Sequence, residues 1–135
     1  MRFRKVYLEI SNICNLNCRF CPGTKRAKEA MTEEEFSILL PKIRPYAAYL
    51  YFHLMGEPLL HPKLERFLTL AGEAGFKVIL TTNGTLLKKQ QEMLLRSPAL
   101  AHIDPACQRE RTIEPCVVDH AAVGFHIKTK VGLGA

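Results

Sequence analysis

The chain has 135 residues and no apolar run approaching the ~18 residues that a membrane-spanning helix needs, so no membrane span is expected. The opening MRFRKVYLEI passes straight into alternation without a small-residue cleavage site. No signal peptide is therefore expected, and the cytoplasm is the expected compartment. G-x-G-x-x-G and phosphate-loop patterns are both missing, which makes a nucleotide-binding α/β domain a poor reading. Arginine-rich runs and a recognition-helix pattern are also missing, so nucleic acid is not an expected partner. Length suffices for one small domain and not two.

The charged residues are unevenly distributed. Net charge is +6. Residues 1–100 hold fifteen basic and nine acidic side chains, and residues 101–135 hold four of each, so the whole excess lies in the first part. A solvated basic surface is the simpler reading, and attraction of an anionic ligand is the other. The cysteine count is five, an odd number. In a reducing compartment, clustered cysteines serve metals or catalysis more often than disulfides.

Three of the five fall in one stretch, CNLNCRFC, spaced C-x3-C-x2-C as Cys14, Cys18 and Cys21. A structural zinc would require a fourth ligand from elsewhere. A redox pair would use Cys18 and Cys21 and leave Cys14 without a role. Three unligated thiols fit poorly in a polar loop with Asn12, Asn15 and Asn17, because unligated cysteine prefers the interior. A [4Fe–4S] cube held by three cysteines leaves one iron open to a small ligand, which explains why there are three and not four. Spacing ranks the cluster ahead of zinc and leaves the other readings standing.

The surrounding pattern is α/β. KVYLEIS, residues 5–11, alternates as a first strand. Thr32 and Glu35 form a capping box, followed by Phe36, Leu39, Leu40 and Ile43 at helical spacing. Pro41 predicts a kink or an early stop near Leu40. Tyr49 to Leu54 reads as a strand buried on both faces. Pro62 suits the first turn of a second helix carrying Leu64, Phe67, Leu68 and Ala71, with Gly75 after its end. Phe76 to Thr81 is a third strand, Asn83-Gly84 a turn, and Leu86 to Leu95 a third helix closed by Ser97-Pro98. The order β-α-β-α-β-α predicts parallel strands with right-handed crossovers. The cysteine loop then follows the C-terminal end of the first strand, the edge where such folds bind ligands.

CNLNCRFCPG, with Phe20 just before the last cysteine, resembles the signature of the radical S-adenosylmethionine (radical SAM) enzymes. LMGEPLLHP resembles that family's acidic loop after the second strand, with Met55 where a glycine often stands and then Gly56 and Glu57. LTTNGTLL, Leu80 to Leu87, matches at the end of the third strand, and the three stretches keep the family's order. The resemblance covers roughly residues 3–98. It implies a partial (βα)n barrel, a [4Fe–4S] cluster on Cys14, Cys18 and Cys21, and S-adenosylmethionine chelated at the open iron. It also implies Phe20 near the adenine, Gly56 and Glu57 meeting the methionine amino group, and Thr82 and Asn83 along the cofactor edge. Reductive cleavage to methionine and a 5′-deoxyadenosyl radical follows, with flavodoxin or ferredoxin as electron donor and a peptide or small molecule as substrate. CPGTK and LYFHLMGEPLLHP look most like members with a cysteine-rich C-terminal cluster domain, which often modify peptides or proteins. His53 reads first as a structural histidine and second as a cavity residue. His61 reads as a helix-start residue, and Lys25, Arg26 and Lys28 as solvent-facing charge.

The pattern fades beyond residue 98. Residues 1–100 show about three βα units, half a typical core, and residues 101–135 read as an irregular tail with no clear strand beyond a short one near Val123 to Ile127. Asp104 is a weak candidate for the cofactor ribose. Cys107 and Cys116 match no complete cluster site. Half a barrel exposes an inner face and a strand edge. The expected outcomes are a homodimer, a fragment of a longer protein, or a changed reading frame near residue 100. The alternative to an enzyme is a truncated non-catalytic remnant or a small zinc-binding protein.

Overall fold

The computed structural model describes residues 5–16 and 25–105. Cys18, Phe20, Cys21, Cys107, Cys116 and the Val123–Ile127 segment lie outside them. Four strands form one parallel sheet in the order β1-β2-β3-β4: β1 Val6–Leu8, β2 Tyr49–Phe52, β3 Lys77–Thr82 and β4 Leu100–Pro105. Between them run helices α1 Glu33–Ile43, α2 Leu64–Glu73 and α3 Leu87–Leu95, with a 3-10 turn at Pro58–Leu60 before α2. The sheet is parallel and α/β, as the pattern predicts, and matches half of a barrel. No helix among the described residues is long and apolar enough to cross a membrane.

The strands follow in sequential order, and buried residues of all three helices join one core cluster with the sheet, as expected where crossovers share one hand and the helices lie on one side. Leu50, Phe52, Val78, Leu80 and Ile103 point to that side and are buried. Phe36 from α1 stacks on Phe67 from α2, with ring centroids 4.3 Å apart, and meets Phe52 of β2 edge-on at 5.9 Å. The other side carries Tyr7, 47% exposed, and Tyr49, 44% exposed, with the Tyr7 and Tyr51 rings 5.2 Å apart. This corrects the expectation that β2 is buried on both faces: its apolar character serves one face, and its tyrosines line the open one.

Local signals set the element ends. Thr32 accepts from the Glu35 amide while the Glu35 carboxylate accepts from the Thr32 amide, completing the capping box. Gly75, at φ +84, follows α2; its amide bonds Gly72 O at 3.0 Å and the Phe76 amide bonds Ala71 O at 2.9 Å, which satisfies the last carbonyls. Pro41 does not stop α1, which continues to Ile43. Pro41 and Ser37, the residue whose carbonyl loses its amide partner, are both exposed. Water can therefore replace the missing bond, and the helix has only one more half-turn to complete.

β4 is an addition to the expected pattern. Val78 pairs with Leu100 but Ile79 pairs with His102, so Ala101 is an extra residue that bulges out of register. Leu100 and Ile103 then both lie on the helix side although they are three positions apart.

Candidate functional site

The loops after β1, β2 and β3 meet at the C-terminal edge of the sheet. The first follows β1, which ends at Leu8, and carries Cys14. Its root is closed by Asn12, which is 5% exposed. The Asn12 amide nitrogen donates to Ala27 O at 2.8 Å, and its carbonyl oxygen accepts from the Glu29 N–H at 2.7 Å. Backbone bonds from Asn12 to Glu29 and from Met31 to Ile10 complete a short return pairing, with Ser11 bridging Ala30. The chain entering the cysteine loop is therefore tied to the chain leaving it.

The second loop carries Gly56 and Glu57. Gly56 sits at φ +83, and a Cβ there would lie 2.3 Å from Ser11 O, so this position both requires the left-handed conformation and packs backbone on backbone. The Glu57 N–H donates to Ile13 O at 2.8 Å. The Glu57 side chain is buried, 1% exposed. One carboxylate oxygen accepts from Thr82 Oγ1 at 2.5 Å and the Leu59 N–H at 3.2 Å, and the other from the Asn83 N–H at 2.7 Å. Burial pushes this carboxyl above its ordinary value, and the Asn83, Thr82 and Leu59 donors pull it back down. Glu57 thus joins the second loop to the third.

The third loop reaches back to the first. The Asn83 side-chain amide donates to Asn15 Oδ1 at 2.9 Å and lies 3.9 Å from Cys14 Sγ. Asn15 in turn donates to Thr85 Oγ1 at 2.9 Å. Thr82 and Asn83 are buried, and Cys14 is an exposed free thiol. Cys14, Gly56, Glu57, Thr82 and Asn83 are all brought together; Cys18, Cys21 and Phe20 lie outside the described residues. Among the described residues no three candidate ligands converge on a metal site. An exposed cysteine beside an amide donor suits a cluster thiolate, since N–H···S bonds stabilise charge on sulfur. The residues present therefore fit a cysteine-held cluster.

Two histidines part company. His61 is buried, accepts the Lys63 N–H on Nδ1 at 3.0 Å and faces Met31 O from Nε2 at 2.9 Å. A carbonyl can only accept and an amide can only donate, so the ring is neutral with its proton on Nε2. Burial holds its pKa below the usual histidine value. It is a structural residue at the entry to α2. His53, read first as structural and second as a cavity residue, is exposed on the open face, with its ring 6.0 Å from the Tyr7 ring. Asp104, on β4, pairs with His102 at 2.9 Å. Lys25, Arg26 and Lys28 are all exposed, as expected, and Arg26 also pairs with Glu9 at 2.7 Å.

Sequence reasoning missed Glu9 and Asn12. Glu9 also accepts the Met55 N–H at 3.2 Å. Its alternation with Tyr7 signals only that it leaves the helix side. Asn12 carried a usable signal, a polar residue between strand and first cysteine, where a loop root needs its backbone groups satisfied. A groove of about 470 Å³ opens beside Glu9, Asn12, Arg26 and Met31, and neither Cys14 nor Asn83 lines it.

Residues 8–105 match the Radical SAM superfamily, and the chain belongs to it. Among characterised proteins it is 34% identical over 87 residues to the tungsten-containing aldehyde ferredoxin oxidoreductase cofactor-modifying protein of Pyrococcus furiosus, covering 61% of this chain and 24% of that one. It is 27% identical over 103 residues to the AdoMet-dependent heme synthase of Methanosarcina barkeri, covering 74% of this chain and 30% of that one. BtrN in complex with AdoMet and 2-DOIA shares the fold at a TM-score of 0.68 and 24% identity, over 78% of this chain and 46% of that one. SuiB of Streptococcus suis bound to S-adenosylmethionine gives 0.60 and 25%, over 75% and 24%. The chain thus spans about a quarter to a third of the curated relatives named here. The match runs through β4 to residue 105, so the family pattern continues past the point where alternation is lost.

Proposed function

We propose that this chain forms the cluster- and cofactor-binding part of a radical SAM enzyme. Cys14, Cys18 and Cys21 would hold a [4Fe–4S] cluster, and S-adenosylmethionine would lie along the C-terminal edge of the sheet. When bound, the pair supplies one-electron cleavage of a carbon–sulfur bond, giving methionine and a 5′-deoxyadenosyl radical that takes hydrogen from a substrate. The protein's share is to bind, orient and shield. The observation that carries the reading is the joining of the three loops by Glu57 and Asn83 around Cys14.

Individual roles follow from that joining. Gly56 lets the second loop lie against Ser11 O, where no side chain fits. Glu57, with its carboxylate already satisfied by three donors, holds this loop in place, so the cofactor's ammonium group would be met by loop carbonyls beside it. Asn83 directs its amide at the Cys14 sulfur. Phe20 would pack near the adenine, and Thr82 would fix the third loop through its hydroxyl. The open face with Tyr7, Tyr51 and His53 is where a substrate would approach. A peptide or protein substrate is the finer proposal. It rests on the resemblance of CPGTK and LYFHLMGEPLLHP to peptide-modifying members, and SuiB has been solved with its precursor peptide SuiA. An electron donor of the flavodoxin or ferredoxin class would reduce the cluster.

Electron paramagnetic resonance on anaerobically reconstituted, dithionite-reduced protein tests this. A reduced cluster signal that changes on adding S-adenosylmethionine supports the reading. Zinc in place of iron and sulfide in the folded protein would sink it.

A further inference from the structure

The cofactor loop is anchored from the side opposite Glu57 as well. Glu9 stands just past β1, on the open-face side. One of its oxygens meets Arg26 Nη2 at 2.7 Å, and the other accepts the Met55 N–H at 3.2 Å. Arg26 follows the cysteine segment, and Met55 immediately precedes Gly56. A single carboxylate therefore bridges the return of the cysteine loop and the loop that would hold the cofactor.

Two further observations show what the bridge does. The Arg26 side chain is 61% exposed and that of Glu9 17%, and ion pairs with so solvated a partner add little to stability. The residue before Met55 is Leu54, at φ 118, the one non-glycine among the described residues with positive φ. Such a backbone persists only where its surroundings over-determine it. The Met55 amide held by Glu9 and the Glu57 amide held by Ile13 O are the restraints on either side of Gly56.

We propose that Glu9 is a positioning residue: Arg26 sets its carboxylate, its carboxylate sets the Met55 amide, and the placement of the chain at Arg26 is thereby transmitted to Gly56. Its cofactor arm rests on the enzymatic reading above.

The test uses the full chain with its cluster reconstituted, and Glu9→Gln, Arg26→Met and the double variant. Arg66→Met, which breaks the comparably exposed Glu33 pair on the far side, is the control. Both single variants keep their iron and sulfide but bind S-adenosylmethionine about tenfold more weakly, titrated by the change in the cluster signal. The double variant is no weaker than the worse single, because both remove one coupled unit. Amide exchange of a peptide covering residues 53–57, followed by mass spectrometry without cofactor, speeds up in both singles and not in the control. Wild-type affinity and exchange in Glu9→Gln overturn the proposal, as does an additive double variant. If wild-type protein with an intact cluster ignores the cofactor, the enzymatic reading fails, and exchange alone decides the bridge: acceleration in both singles upholds it, and no change rejects it.

Discussion

Thr82 Oγ1 lies 2.5 Å from Glu57 Oε1, joining the end of β3 to a loop 25 positions earlier in sequence, inside a site where both residues are 1% exposed. Glu57→Ala would leave the Thr82 hydroxyl and the Asn83 and Leu59 amides without their acceptor. At ~1–3 kcal/mol for each unsatisfied buried group, and with some relaxation, the loss should be about 3 kcal/mol. Urea unfolding would measure it. A loss under about 1 kcal/mol would show that water replaces the carboxylate and that the joint is not a structural one.

Gly56 and Leu54 should respond in opposite directions. Gly56→Ala places a methyl 2.3 Å from Ser11 O and should destabilise by roughly 2 kcal/mol while weakening cofactor binding. Leu54→Gly relieves a positive φ on a side chain that is 55% exposed, and should stabilise by about 1 kcal/mol. Thermal melts of the two variants decide; a Leu54→Gly protein that melts lower than wild type would refute the strain.

His61 gives a pH dependence of known sign. Its folded pKa lies below the ordinary 6.5, so the unfolded chain binds the extra proton first. The stability contributed by the neutral ring is complete above about pH 6.5 and is lost as pH falls through the folded value. Glu57, with its raised pKa, changes stability in the opposite direction as pH rises above 4.5. The comparison must therefore be wild type against His61→Gln, whose melting temperatures should converge on acidification from pH 8 to pH 5. A constant gap would mean that the ring is not held neutral.

Asn83→Ala removes the amide beside Cys14 Sγ and the bond to Asn15, while its backbone N–H to Glu57 remains. The loss of an outer-shell donor of this kind costs roughly tenfold in metal affinity or activity. Iron retention during anaerobic dialysis against a chelator, compared with wild type, would read it. Equal retention would confine Asn83 to loop structure.

Much of this was legible in the sequence. The capping box at Thr32 and Glu35, the glycine closing α2 and the three loop motifs depend on short-range chemistry that leaves a mark at fixed spacing. β4 left no such mark, because the bulge at Ala101 places Leu100 and Ile103 on one face at a spacing of three, where alternation requires two. β2 misled for a different reason: tyrosine suits a buried strand and an open face equally well. Pro41 does not end α1, because the cost of proline depends on whether the orphaned carbonyl reaches water. Glu9 was invisible, since its partners lie 17 and 46 residues away and charge alternating with tyrosine has no distinctive spacing.

The pairing of Asn12 with Ala27 and Glu29 has a consequence in the language of chelation. A ligand set borne on a free chain must give up the freedom of its ends each time it wraps an ion. Here the ends are already fixed by the fold, so capture of the proposed cluster by three thiolates would be closer to filling a ring than to closing one, with the loop-closure entropy surrendered during folding. On that proposal cluster loss and unfolding would be separable events, and air-damaged protein should retain its sheet and accept a new cluster without refolding.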